Sequence, residues 1–221
     1  MYHICLLPGL GVDERMFQYL TLDKRFAITN IKWVKPDGKA DLPQYAQQLL
    51  PQIPKADKLV LIGVSFGGIM AVELAKILNP ALVIQISSVK TRFEMPWYYR
   101  LAGKLRLPYL LPLHWGKSFR NLQAFIFGAN TTEAKKLLNQ IISELDVAYV
   151  KWALTAIANW ANTTPIPNVV QLHGMNDLIF PAKYIKGFTL VEAGTHLMII
   201  IKAKELSFLI NKELDKLLSQ Q

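Results

Sequence analysis

The sequence predicts an α/β protein: a minimal, mostly parallel sheet of about six strands, helices on both faces and one helical insertion. Three observations carry this. Short β-rich runs alternate with helix-like segments in both halves of the chain, and βαβα order implies a parallel sheet covered on both sides. Most of those runs are continuously apolar rather than alternating, as strands buried on both faces must be. One long interval, Lys90 to Thr164, has no convincing strand, several helix-like pieces and breaks at Pro96, Pro108, Pro112 and Gly116.

Taken in order, the strand candidates are HICLL (3–7), AITNIKWV (27–34), KLVLIG (58–63), ALVIQIS (81–87), NVVQLH (168–173) and FTLVE (188–192). Asp13 is placed to cap a helix over 14–20, and Asp41 one over 42–53, with Pro43 tolerated in its first turn. FGGIMAVELAKIL (66–78) reads as a helix that stops before Asn79-Pro80. Leu206, Leu209, Ile210, Leu214, Leu217 and Leu218 recur at helical spacing and mark a terminal amphipathic helix. A structureless loop as long as 90–164 would be anomalous, so that stretch reads as helices inserted between two strands. The expected organisation is a core of 1–89 and 165–221 with an insertion at 90–164.

Composition narrows the class. With 221 residues, 52% hydrophobic and 19% charged, the chain is neither disordered nor collagen-like, and it is long enough for a sizeable core. Its lone cysteine, Cys5, cannot make an internal disulfide, which suits a reducing compartment. No apolar run is long enough to cross a bilayer, and the start lacks the basic flank of a signal peptide, so a cytoplasmic protein is expected. The net charge of +9 raises the question of nucleic acid, but the excess is local. Residues 95–132 have no Asp or Glu, yet carry Arg100, Lys104, Arg106, Lys117 and Arg120 among many aromatics. This points to a solvated surface, with attraction of anionic substrates or contact with lipid headgroups through 96–113 as the alternatives; no nucleic-acid partner is expected.

Gly63-Val64-Ser65-Phe66-Gly67 satisfies G-x-S-x-G between a buried strand and a helix. A strand that turns sharply into a helix with serine at the apex needs small residues two positions either side. A serine hydroxyl is a poor nucleophile alone, so a base and a group to orient it should follow. Of the four histidines, His3 opens the first strand, His114 sits in the insertion and His173 ends a strand. His196, in GTHLMI just after the last strand, occupies the kind of loop where an open α/β sheet assembles its site. Asp177, in HGMNDLIFP, follows the penultimate strand in the same way, with Glu94 as the fallback acid. Buried Cys5 has nothing nearby to stabilise a thiolate, and no zinc spacing, G-x-G-x-x-G or P-loop pattern is present, so no cofactor or metal is expected.

With PGLG after the first strand, GVSFGG, HGMNDLIFP and GTHLMI, the chain resembles the α/β-hydrolase superfamily over nearly its whole length. The resemblance implies Ser65 as nucleophile, Asp177 as acid, His196 as base, and an oxyanion hole from the backbone amides of Leu10 and Phe66. It also implies that 90–164 is a cap over the site, and that the substrate is a small ester or thioester. Two departures follow from the spacing. The PGLG loop lies within ten residues of the start, so two leading strands of the full family sheet are expected to be missing. The interval from Asp177 to His196 is short, leaving little room for a crossover helix. The resemblance leaves open a catalytically silent ligand-binding protein, or the same triad used for C–C hydrolysis, lyase or acyl-transfer chemistry.

Overall fold

The computed structural model describes residues 2–56, 58–106 and 119–219. Strands β1 Tyr2–Leu7, β2 Ala27–Asn30, β3 Lys58–Val64, β4 Leu82–Ile86, β5 Val169–Gly174 and β6 Thr189–Val191 form one sheet in the order β2-β1-β3-β4-β5-β6. Every neighbouring pair is parallel. The helices are α1 Leu42–Leu49, α2 Phe66–Leu78, α3 Trp97–Lys104, α4 Arg120–Phe127, α5 Thr132–Glu144, α6 Val147–Ala158, α7 Met198–Ile201 and α8 Ala203–Ser219.

The two-residue period of a strand explains why its runs are continuously apolar. Ile4, Leu6, Ile62 and Ile84 pack with Met198, Leu206, Ile210 and Leu214 of α7 and α8 on one face. Cys5, Leu7, Leu61 and Val83 pack with Leu42, Tyr45, Ile69 and Met70 of α1 and α2 on the other. Leu206, Ile210 and Leu214, one turn apart, are wholly buried. Each contributes about 1.5–3 kcal/mol relative to exposure, which ties α8 to the sheet.

Three predicted elements are shorter than their sequence patterns. Residues 14–20 supply only one 3₁₀ turn, Glu14–Phe17, capped by the Asp13 carboxylate on the Arg15 amide. Helix α1 opens on a capping box between Asp41 and Gln44 and gives way to a 3₁₀ turn at Leu50–Gln52, where Pro51 has no amide to continue the α-helical bonds. Strand β2 pairs only through Asn30, although the Ile31 amide still donates to Leu6 O at 2.9 Å. Beyond it, residues 32–34 leave the sheet edge and turn Trp33 toward the loop after β1.

Between β4 and β5 the described residues are helical or irregular, with α3–α6 in succession. The segment reaches both cores: Leu137, Leu138 and Ile141 of α5 join one, and Ala153 of α6 and Trp160 join the other. Pro108, Tyr109, Pro112, His114, Trp115, Gly116 and Lys117 lie outside the described residues. Among the described residues no helix is long and apolar enough to cross a membrane.

The strand order fixes where a site can form. From β1 the chain goes to β2 on one side and then to β3 on the other, so the loops leaving β1 and β3 diverge at the carboxyl edge. A crevice opens at such a switch point. The PGLG loop follows β1 and Ser65 follows β3.

Candidate functional site

Ser65 is alone between the end of β3 at Val64 and the start of α2 at Phe66, with φ 52° and ψ −115°. For a residue with a Cβ this conformation costs on the order of 1–3 kcal/mol, so its surroundings must impose it. They do so on both sides of the residue. The Ser65 amide donates to Ile86 O at 2.9 Å. Its carbonyl accepts from the Gly68 and Ile69 amides, at 3.0 and 3.3 Å, and from Ser88 Oγ at 2.7 Å. The flanking glycines answer to close packing: a Cβ on Gly67 would lie 2.1 Å from Leu7 O, and one on Gly63 2.3 Å from Gly67 O. The turn thus rests directly on the end of β1, and the hydroxyl stays partly exposed at the apex.

Three distant loops meet there. Ser65 Oγ is 2.9 Å from His196 Nε2, and His196 Nδ1 lies 2.9 and 3.1 Å from Asp177 Oδ2 and Oδ1. Asp177 is 1% exposed and is aimed by the Ile179 and Phe180 amides, which donate to Oδ1 at 2.8 and 2.9 Å. Burial pushes its carboxyl pKa up. The charge and hydrogen bond of His196, with the Phe180 amide and His173, outweigh that and hold it below the ordinary value. An ionised Asp177 only accepts, so Nδ1 carries the imidazole proton and Nε2 is free to accept from the serine hydroxyl.

The helical segment helps to hold this loop. The Leu197 amide donates to Phe127 O at 3.1 Å, Thr195 Oγ1 to Gly128 O at 3.1 Å, and the rings of Phe127 and Phe180 flank the imidazole at 5.7 and 5.8 Å. Near the PGLG loop, neither the Leu10 nor the Phe66 amide has an acceptor among the described residues. Gly9 beside Leu10 is tied down. Its amide donates to Met16 Sδ at 3.0 Å, and its carbonyl accepts from Trp33 Nε1 at 2.9 Å and the Val12 amide at 3.2 Å. A cleft of about 720 Å³ lies beside this loop, lined by Gly11, Val12, Trp33, Tyr149 and Trp152 together with charged Asp13, Arg15, Lys32, Lys35, Glu144 and Asp146.

The other candidates are engaged elsewhere. His3 Nε2 pairs with Thr29 Oγ1 at 2.8 Å, between β1 and β2. Glu94 belongs to a separate buried network, accepting from the Lys90 amide at 2.8 Å and from Gln171 Nε2 and the Lys186 amide at 3.3 Å. Cys5 is fully buried, which pushes its thiol up to about 12. Among the described residues no cluster of three or more His, Cys, Asp or Glu could hold a metal. Sequence reasoning missed Ser88 and Trp33; the only signal for Ser88 was its position at the end of the strand neighbouring β3.

His173 is wholly buried and donates from Nε2 to Phe180 O at 2.8 Å, while Nδ1 has no partner among the described residues. Burial lowers its pKa, opposed by Asp177, the Phe180 carbonyl and Glu94, with His196 adding to the lowering. The unfolded chain therefore binds this proton more readily than the fold does. The stabilisation is fully present above about pH 6.5 and is lost as pH falls toward the folded value. Denaturant titrations are expected to show unfolding free energy falling as pH drops below about 6.5, with a flatter profile for His173→Gln.

No family model and no curated protein sequence matches the chain. Solved structures do. A thermophilic esterase from Thermogutta terrifontis aligns at TM-score 0.75 and 17% identity, over 98% of this chain and 90% of that one. ClbQ from the colibactin NRPS/PKS pathway aligns at 0.67 and 15%, over 100% and 99%. The enol-lactonase from Burkholderia xenovorans aligns at 0.65 and 17%, over 96% and 91%. With a six-stranded parallel sheet, a strained serine at its switch point and near full-length superposition on these structures, the chain has the α/β-hydrolase fold.

Proposed function

We propose that this chain is a serine hydrolase that cleaves a small carboxylic ester or thioester through an acyl-enzyme. The observation that carries the reading is the unbroken run of hydrogen bonds from Ser65 Oγ through His196 to Asp177. In this reading Ser65 Oγ bonds to the substrate carbonyl carbon while its proton passes to His196 Nε2. The carbonyl oxygen becomes an oxyanion, received by the amides of Leu10 and Phe66 and favoured by the positive end of α2. Collapse breaks the bond to the alcohol or thiol, which leaves with the proton held on Nε2. Water then gives a proton to Nε2 and its oxygen bonds to the acyl carbon. The bond to Oγ breaks, the proton returns to Ser65 and the carboxylic acid departs. Asp177 stays ionised throughout, fixing the imidazole and stabilising its charged form. No cofactor is used.

Residues 90–164 serve in this reading as a cap, supported by the bonds from the His196 loop to Phe127 and Gly128. Buried, unpaired Cys5 supports a cytoplasmic setting. A series of p-nitrophenyl esters and acyl thioesters tests the substrate class. Saturable turnover of short-chain members is expected; binding without turnover of any member would make the protein a silent binder.

A further inference from the structure

We propose that Trp33 is a positioning residue that sets the oxyanion hole, an inference that rests on the hydrolase reading above. The geometry is that of one peptide plane. The Gly9 carbonyl accepts the Trp33 indole N–H at 2.9 Å. Among the described residues there is no cis peptide bond, so the carbonyl of Gly9 and the amide of Leu10 point in opposite directions. Holding the carbonyl on the indole therefore aims the Leu10 N–H away from Trp33, with no contact between the indole and that amide. The remaining bond to this carbonyl, from the Val12 amide, is longer at 3.2 Å and lies within the same turn. Trp33 lies outside that turn and is itself anchored: its ring meets Phe66 at 5.0 Å and Tyr45 at 6.3 Å between centroids. Phe66 supplies the second amide. One side chain thus fixes the plane of the first donor and packs on the residue that carries the second. A donor pair is effective only when its spacing is set before the charge develops.

Trp33 also walls the neighbouring cleft, so a substrate-contact role must be separated from a positioning one. Replacing Trp33 by 3-benzothienylalanine keeps the ring shape and deletes only the N–H; Trp33→Phe provides a second, genetically encoded variant. Rates are taken per fluorophosphonate-titrated site, so misfolded protein drops out. Deleting a donor outright costs roughly two to three orders of magnitude, and a mis-aimed one should cost less. The expected result is a fall in kcat of about 10- to 100-fold with KM within about twofold, and a matching loss of affinity for a boronic acid that forms a tetrahedral adduct. The pH profile of kcat/KM should not move, because His196 and Asp177 are untouched. A rise in KM with kcat and boronate affinity intact, or native kinetics in both variants, would overturn the proposal. A native protein that neither labels at Ser65 nor turns over esters would instead overturn the hydrolase reading, and this proposal with it.

Discussion

Replacing Ser65 by alanine is expected to lower kcat by about six orders of magnitude if serine, imidazole and carboxylate act as a unit. The reason is local. The hydroxyl is the atom presented at the apex of the turn, hydrogen-bonded to His196 Nε2 at 2.9 Å, and alanine offers nothing to attack with. The fold should survive, because the bonds that impose the turn come from the backbone of Ser65 and from Ser88. Steady-state ester hydrolysis, with circular dichroism to verify folding, reads both. Turnover within an order of magnitude of the native rate would remove Ser65 from the chemistry.

Asp177→Asn should have the second-largest effect, about four orders of magnitude in kcat. The amide can still accept from the Ile179 and Phe180 amides, so the loop should keep its shape. What changes is charge and tautomer. A neutral amide no longer stabilises the imidazolium, and its NH₂ group favours the tautomer with the proton on Nε2, where the serine proton must go. The same substitution alters acid stability in a direction the geometry fixes. The folded carboxyl lies below its ordinary value, so its stabilisation is present above about pH 4 and is lost as pH falls through the folded value. The variant should therefore unfold with a shallower dependence on pH in that acid window.

The inner strands were legible in the sequence because a parallel sheet buried on both sides needs continuous apolar runs, while the edge strands β2 and β6, half exposed, were read from their β-rich composition and their place in the βα alternation. Helix α2 was legible to the residue, since G-x-S-x-G fixes its start and Asn79-Pro80 its end. The ends of β2 and of the segment after Asp13 were not. Both are decided by what the chain packs against: residues 32–34 leave the edge as Trp33 packs against Phe66 and Tyr45. Ser65, Asp177 and His196 could be picked from their places at strand ends, but their 2.9 Å separations come from the closure of three loops. Trp33 was illegible as part of the site, because the bond from its indole to Gly9 O joins the ends of two strands through a loop whose path no local pattern encodes.

Mass spectrometry of the protein after brief treatment with a fluorophosphonate measures the reactivity of the hydroxyl itself, whatever the natural substrate. A single adduct on Ser65, formed rapidly in the native protein and lost in Asp177→Asn, is the expected result. An unmodified Ser65 in folded protein, or a label carried by another residue, would contradict it.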